Sequence, residues 1–255
     1  MGKKYIIAAN WKMNKKFDDS IKFSGTHFDS LVKIAKNDNI QLVICPSFIS
    51  IYPICKTFKD TKVFIGGQNC SNHTKGSFTG QISSKSLHEA GCKYCIIGHG
   101  ECRKYLCEDD EIIAQKFIHL IDFDINPILC IGETKEQHDA GKAIEVIKKQ
   151  LENIINNLNT MLIPDYISPC IAYEPIWSIE TGNIPSIDHL ETIFAWLKDL
   201  LLSLKSNIKV NLLYGGSVDA KNIEHFKGID NIEGFLIGNT SLNFDKLQQT
   251  ISKLL

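Results

Sequence analysis

The sequence predicts an α/β fold, a single (β/α)8 barrel over residues 1–255, and three observations lead there. Eight short apolar runs recur along the 255 residues. Their starts lie about 33 residues apart, roughly the length of one strand–helix unit. The runs are continuous rather than alternating, with only Asn211 of run seven polar, as expected for strands covered on both faces of a parallel sheet. No Pro-, Ser- or Gly-rich linker and no charge block marks a boundary, so the eight units are expected to close into one domain.

The first run, residues 5–9 (YIIAA), leads into Asn10, Trp11 and Lys12, and a weak helical stripe follows around residues 23–34. Runs two and three are residues 42–45 (LVIC) and 63–65 (VFI), and run four is residues 94–97 (YCII). A second weak stripe, around residues 112–121, separates run four from run five at 127–131 (PILCI). The clearest helix comes next, because Ile144, Ile147, Leu151, Ile154, Ile155 and Leu158 fall on one face at a 3.6-residue period. Run six is residues 170–173 (CIAY), and its returning helix carries Leu190, Ile193, Phe194, Leu197, Leu200, Leu201 and Leu204. Runs seven and eight are residues 210–214 (VNLLY) and 234–237 (GFLI), and the last helix starts near Asn243, a suitable N-cap, and runs to Leu254.

Composition narrows the function. Hydrophobic residues make up 44% and charged residues 22%, enough to bury a large core. With 28 basic and 29 acidic side chains the net charge is −1, so no global field favours nucleic acid or an anionic membrane. No apolar run reaches the roughly 18–20 residues that span a bilayer, and residues 5–9 are too short for a secretory core. Nine cysteines fit a reducing compartment, and a cytoplasmic location is expected. Cys92 and Cys95 form a C-x-x-C pair, yet Cys95 stands in a strand-like run and no second pair follows, so buried thiols are expected rather than a metal or redox site.

In such a barrel the loops at the C-terminal ends of the strands build the site. Asn10 and Lys12 follow run one, His99 and Glu101 run four, Glu174 run six, and the turns Gly215-Gly216-Ser217 and Gly238-Asn239 follow runs seven and eight. A carboxylate, an imidazole and an ammonium on one rim can abstract a carbon-bound proton and stabilise the oxyanion that forms. Glycine turns at that place can aim backbone N–H groups at a phosphate. Taken singly, each element also has a bland reading: a tight turn, a solvated carboxylate, a hydrogen-bonded rim histidine, a surface lysine. Neither a P-loop nor a dinucleotide fingerprint is present.

These residues resemble the triosephosphate isomerase family. The likeness runs in order through AANWKMN (8–14), QNC (68–70), FTG (78–80), IIGHGE (96–101), CIGE (130–133), AYEPIW (172–177), YGGS (214–217) and GFLIGN (234–239). The resemblance implies a TIM barrel that interconverts dihydroxyacetone phosphate and D-glyceraldehyde 3-phosphate through an enediolate, with no metal or organic cofactor. It implies Glu174 as the base, a neutral His99 that polarises the carbonyl and Lys12 as the positive charge. Asn10 orients the substrate, Glu101 pairs with Lys12, and Glu180, Ser217, Gly238 and Asn239 stand at substrate-binding positions. Residues 177–185 correspond to a closing lid. Residues 68–81 correspond to a loop that reaches a second subunit, with Thr79 near the partner's Asn10 and Lys12, so a homodimer is expected.

Several positions depart from the family's usual pattern. Gly100 stands for Ser, and His99 is then expected to be oriented by packing. Gln81 stands for Glu, Cys102 for Arg, Asn239 for Gly, and residues 183–186 read NIPS. Glu180 stands for a lid glycine, and a carboxylate about 5 Å from a phosphate charge costs roughly 1–3 kcal/mol at an effective dielectric of 20–80. Two further readings stay open: a catalytically silent phosphate-binding barrel, or an isomerase of another small phosphosugar.

Overall fold

The computed structural model describes residues 3–179, 183–204 and 208–255. Eight parallel strands close in the order β1 to β8: β1 (Tyr5–Asn10), β2 (Ile40–Cys45), β3 (Phe64–Gly67), β4 (Tyr94–Ile97), β5 (Asn126–Ile131), β6 (Cys170–Tyr173), β7 (Asn211–Tyr214) and β8 (Gly234–Ile237). Between them lie α1 (Phe17–Thr26) and α2 (Phe28–Lys36), α3 (Phe48–Thr57), α4 (Ser84–Ala90), α5 (Gly100–Tyr105) and α6 (Asp110–Asp122), α7 (Lys135–Asp139) and α8 (Ala143–Thr160), α9 (Ile187–Leu202), and α10 (Ile223–Lys227). After β8 comes α11 (Phe244–Ser252). The chain is a (β/α)8 TIM barrel, and all eight apolar runs are its strands.

Several boundaries differ from the sequence reading by a residue or two, as at β2, which starts at Ile40, and the last helix, which ends at Ser252, and three differences have a local reason. Strand β3 continues past the run's end at Ile65 through Gly66 and Gly67; a Cβ there would stand 2.8 Å from Cys45 Sγ and 2.9 Å from Leu87 Cδ1, respectively, so neighbours fill the space. The stripe at residues 23–34 is two helices, broken at His27, which stacks on Phe244 at 4.3 Å and meets the edge of Phe23. Helix α9 stops at Leu202, short of Leu204, whose partly buried side chain still packs on the core. At the last helix Asn243 caps as expected, accepting from the amide of Lys246 at 3.0 Å.

Side-chain alternation divides each strand between two apolar layers. Tyr5, Ile7 and Ala9 of β1, Leu129 and Ile131 of β5, and Ile171 and Tyr173 of β6 pack outward with the helices. Ile6, Ala8, Val43, Cys45, Ile96, Ile128, Cys130, Cys170, Ala172, Leu213 and Leu236 form the other layer, which fills the barrel. Two residues beyond the last inward position lie Asn10 after Ala8, Gly98 after Ile96, Gly132 after Cys130, Glu174 after Ala172, Gly215 after Leu213 and Gly238 after Leu236. Four of these six are glycines. The barrel mouth is therefore hollowed by missing side chains, and of these six positions Asn10 and Glu174 are the two that place a side chain there.

Cys92 and Cys95 are both buried and free, in agreement with the sequence reading, and all nine cysteines are unpaired thiols.

Candidate active site

A cavity of about 320 Å³ opens at this mouth, lined among others by Asn10, Lys12, His99, Glu174, Ser217, Gly238 and Asn239. Six side chains or turns expected at one rim thus surround one space. Glu101 stands behind Lys12. Thr79 is exposed on the 68–81 loop and does not line the cavity of its own chain. Glu180 lies outside the described residues.

Lys12 follows β1 with φ 49°, in the left-handed region that costs a residue with a Cβ about 1–2 kcal/mol. The conformation is held from both sides: its amide donates to Asn10 Oδ1 at 3.0 Å, and its carbonyl accepts from Gln68 Nε2 at 2.8 Å. The ammonium then lies 2.7 Å from Glu101 Oε1, the expected pairing.

His99 caps the N-terminus of α5. Its Nδ1 accepts from the amide of Glu101 at 3.2 Å, so Nδ1 carries no proton and the ring is neutral, with its hydrogen on Nε2. Orientation by packing alone is thus corrected: a backbone hydrogen bond sets the ring. Gly100 adds no unusual backbone, and a Cβ there would meet Ile176 at an ordinary 3.6 Å. His99 Nε2 faces Glu174 Oε1 at 3.5 Å.

Glu174 is 3% exposed, directly beyond β6, where its amide continues the sheet by donating to Ile131 O at 2.7 Å. Its Oε2 is buried without a hydrogen-bond partner. Two glycines make room for it. A Cβ on Gly132 would fall 1.9 Å from Glu174 O, and one on Gly215 would fall 2.6 Å from Glu174 Cγ. Burial, and then the neighbouring Glu174 carboxylate, hold the Cys130 thiol well above its ordinary range. Cys130 went unassigned in the sequence, since nothing in its spacing shows that it lies beneath the carboxylate.

Across the cavity, Thr240 Oγ1 donates to Val218 O at 2.7 Å and joins the turns after β7 and β8. Ser217 Oγ donates to Ser178 O at 2.8 Å, tying the first of these turns to the segment after β6. Among the described residues, the amides of Ser217, Gly238 and Asn239 have no protein acceptor. Three N–H groups therefore remain available to an anion.

The chain matches the sequence model of the family described as triosephosphate isomerase over residues 5–254. It belongs to the triosephosphate isomerase family. Among relatives that carry this name, the Aquifex aeolicus protein is 36% identical over 93% of this chain and 94% of its own length. The Thermodesulfovibrio yellowstonii protein is 36% identical over 95% and 96%, and the Buchnera aphidicola (subsp. Baizongia pistaciae) protein 35% over 98% and 99%. The family match covers every strand and both phosphate-type turns.

A second group of polar residues lies behind the 176–178 turn and escaped the sequence reading. Glu133 is fully buried and accepts from Trp177 Nε1 at 2.9 Å and from the Tyr173 hydroxyl at 3.0 Å. His138 and His189 flank it. Burial pulls His189 below the ordinary imidazole value, against the opposing charge of Glu133.

Proposed function

We propose that the chain is an aldose–ketose isomerase that interconverts dihydroxyacetone phosphate and D-glyceraldehyde 3-phosphate by proton transfer through an enediolate. One observation carries the reading: a buried carboxylate with an unbonded oxygen faces a neutral imidazole whose N–H points into the same cavity. Glu174 takes the proton from the carbon next to the carbonyl, and the C–H electron pair becomes the C=C bond of the enediolate. His99 Nε2–H donates to the carbonyl oxygen and then moves protons between the two oxygens. Glu174 returns its proton to the neighbouring carbon, which completes the exchange with no net redox change.

Lys12 places its charge beside the developing oxyanion, Glu101 holds Lys12, and Asn10 orients the substrate. The phosphate sits on the amides of Ser217, Gly238 and Asn239, with residues 177–185, Glu180 included, closing over it. A silent phosphate-binding barrel gains nothing from a buried unbonded carboxylate oxygen, which costs roughly 1–3 kcal/mol.

The functional unit in this reading is a homodimer of single-domain chains, residues 1–255, in the cytoplasm. Several features support the dimer. The 68–81 loop is closed on itself by Ser71 N to Ile82 O at 2.8 Å and a His73–Phe78 stack at 3.7 Å, and Phe78, Phe48, Ile49, Tyr52 and Leu106 are exposed. Among the described residues no helix is long and apolar enough to cross a membrane.

The test is turnover of glyceraldehyde 3-phosphate in D2O followed by proton NMR, with sedimentation of the same sample. Product carrying solvent deuterium and a particle of twice the chain mass are expected. Folded protein that gives no turnover refutes the activity, and a monomer refutes the dimer.

A further inference from the structure

Glu133, His138 and His189 form a second cluster of donor atoms, all within 4.8 Å of one another, outside the reaction cavity. Glu133 Oε1 lies 3.5 Å from His138 Nδ1 and 4.0 Å from His189 Nε2. The Tyr173 hydroxyl sits between, 2.8 Å from His189 Nε2, and the Trp177 ring lies 4.3 Å from the ring of His138. A fully buried negative charge is thus faced by neutral donors and two imidazoles. The three residues come from places that matter for the segment at 177–185. Glu133 and His138 hold Trp177 where that segment begins, and His189 is the third residue of α9, where it ends.

We propose that Glu133, His138 and His189 bind one divalent ion of the zinc class, which ties the two ends of the 177–185 segment together. Two imidazole nitrogens and one carboxylate oxygen, with a fourth position left to water, are a donor set that zinc accepts, and oxygen donors are too few for calcium or magnesium. Bonds of about 2.0–2.2 Å in a tetrahedron separate donors by about 3.4 Å. The Glu133–His138 pair, at 3.5 Å, already has about that spacing; His189 must close on Glu133 by about 0.6 Å and come within the same spacing of His138, from which its donor atom lies no more than 4.8 Å, through side-chain rotation near the start of α9. His189 frees its Nε2 lone pair by moving its proton to Nδ1, a change of tautomer without change of charge. The ion then neutralises Glu133 and competes with the Trp177 indole for Oε1.

The experiment is calorimetric titration with Zn2+ and absorption with Co2+, in a Cys107→Ser background that removes the exposed thiol. One ion per chain and the visible bands of four-coordinate cobalt, without a near-ultraviolet thiolate band, are expected. His138→Gln and His189→Gln should each weaken binding at least about 100-fold, since even partners of a ligand are worth roughly 10–100-fold. Zn2+ should raise the unfolding midpoint of the parent and not of either variant, so one folded variant suffices. No binding, binding that both replacements leave unchanged, or a thiolate band overturns the site. The kinetic consequence alone rests on the proposed activity: Zn2+ slows turnover, and a chelator restores it. Binding is measured without substrate, so loss of the isomerase reading and loss of this site are separate outcomes.

Discussion

Gly215→Ala probes how tightly the carboxylate of Glu174 is placed. The new Cβ would stand 2.6 Å from Glu174 Cγ and 3.1 Å from Oε1. An ordinary carbon–carbon contact is about 3.6 Å, so the carboxylate must retreat by about 1 Å. A displacement of that size at reacting atoms costs about 100-fold, close to 2.7 kcal/mol in the barrel's transition-state stabilisation. Overpacking adds about 1–3 kcal/mol of lost stability, which the fold should survive. The assay is steady-state kcat/KM with the unfolding midpoint measured alongside, in the parent and in a Glu174→Gln background. A fall of about 100-fold in the parent, absent when Glu174 is already Gln, is expected, because the two changes act on one group. A folded Gly215→Ala enzyme within threefold of the parent would refute the reasoning. So would an equal loss in both backgrounds, because the methyl group would then act on something other than the carboxylate.

Glu174→Asp withdraws the carboxylate by one methylene and should lower turnover at least about 100-fold while inorganic phosphate inhibits as before; near-normal turnover rejects Glu174 as the base. Glu180→Gly removes a negative charge from the segment expected to close over the phosphate, so KM should fall, by up to about tenfold, or stay level, and a clear rise counts against the repulsion. A thiol reagent at pH 8 should label Cys107 rapidly, with Cys45 and Cys170 silent until unfolding, because burial pushes both thiols up to about 12. Cys102, pushed up to about 11 by burial and then by Glu108, is ionised to about one part in a thousand at that pH and should react slowly; rapid labelling of three or more thiols in folded protein contradicts this.

Much of the fold was legible because strands covered on both faces leave no polar positions to break an apolar run. Where that signal stopped short, close packing was the cause: the third apolar run ends at Ile65, yet the strand continues through Gly66 and Gly67, whose missing side chains are replaced by neighbours. The weak stripe over residues 23–34 held no sign that His27 would leave the helix to stack on Phe244. At the site, residues immediately past a strand end were readable by position, as for Lys12, His99 and Glu174. Contacts created by closing the barrel were not. Glu133 and His189 are distant in sequence, and their approach follows from the placement of β5, β6 and α9 around the same sector. The amide that orients His99 was hidden for a different reason, since a histidine cap has no side-chain pattern of its own.

The odd–even stacking inside the barrel also limits how this chain can change. Loss of Ile171 within β6 would turn Ala172 outward, carry Tyr173 into the barrel and put Pro175 at the mouth in place of Glu174. Insertions within the strands are barred by the same parity, whereas the connections at the opposite end, such as residues 161–167 before β6, lie outside the paired register and can vary in length. Drift in length is therefore left to the connections at either rim, and the strands themselves can change by substitution alone.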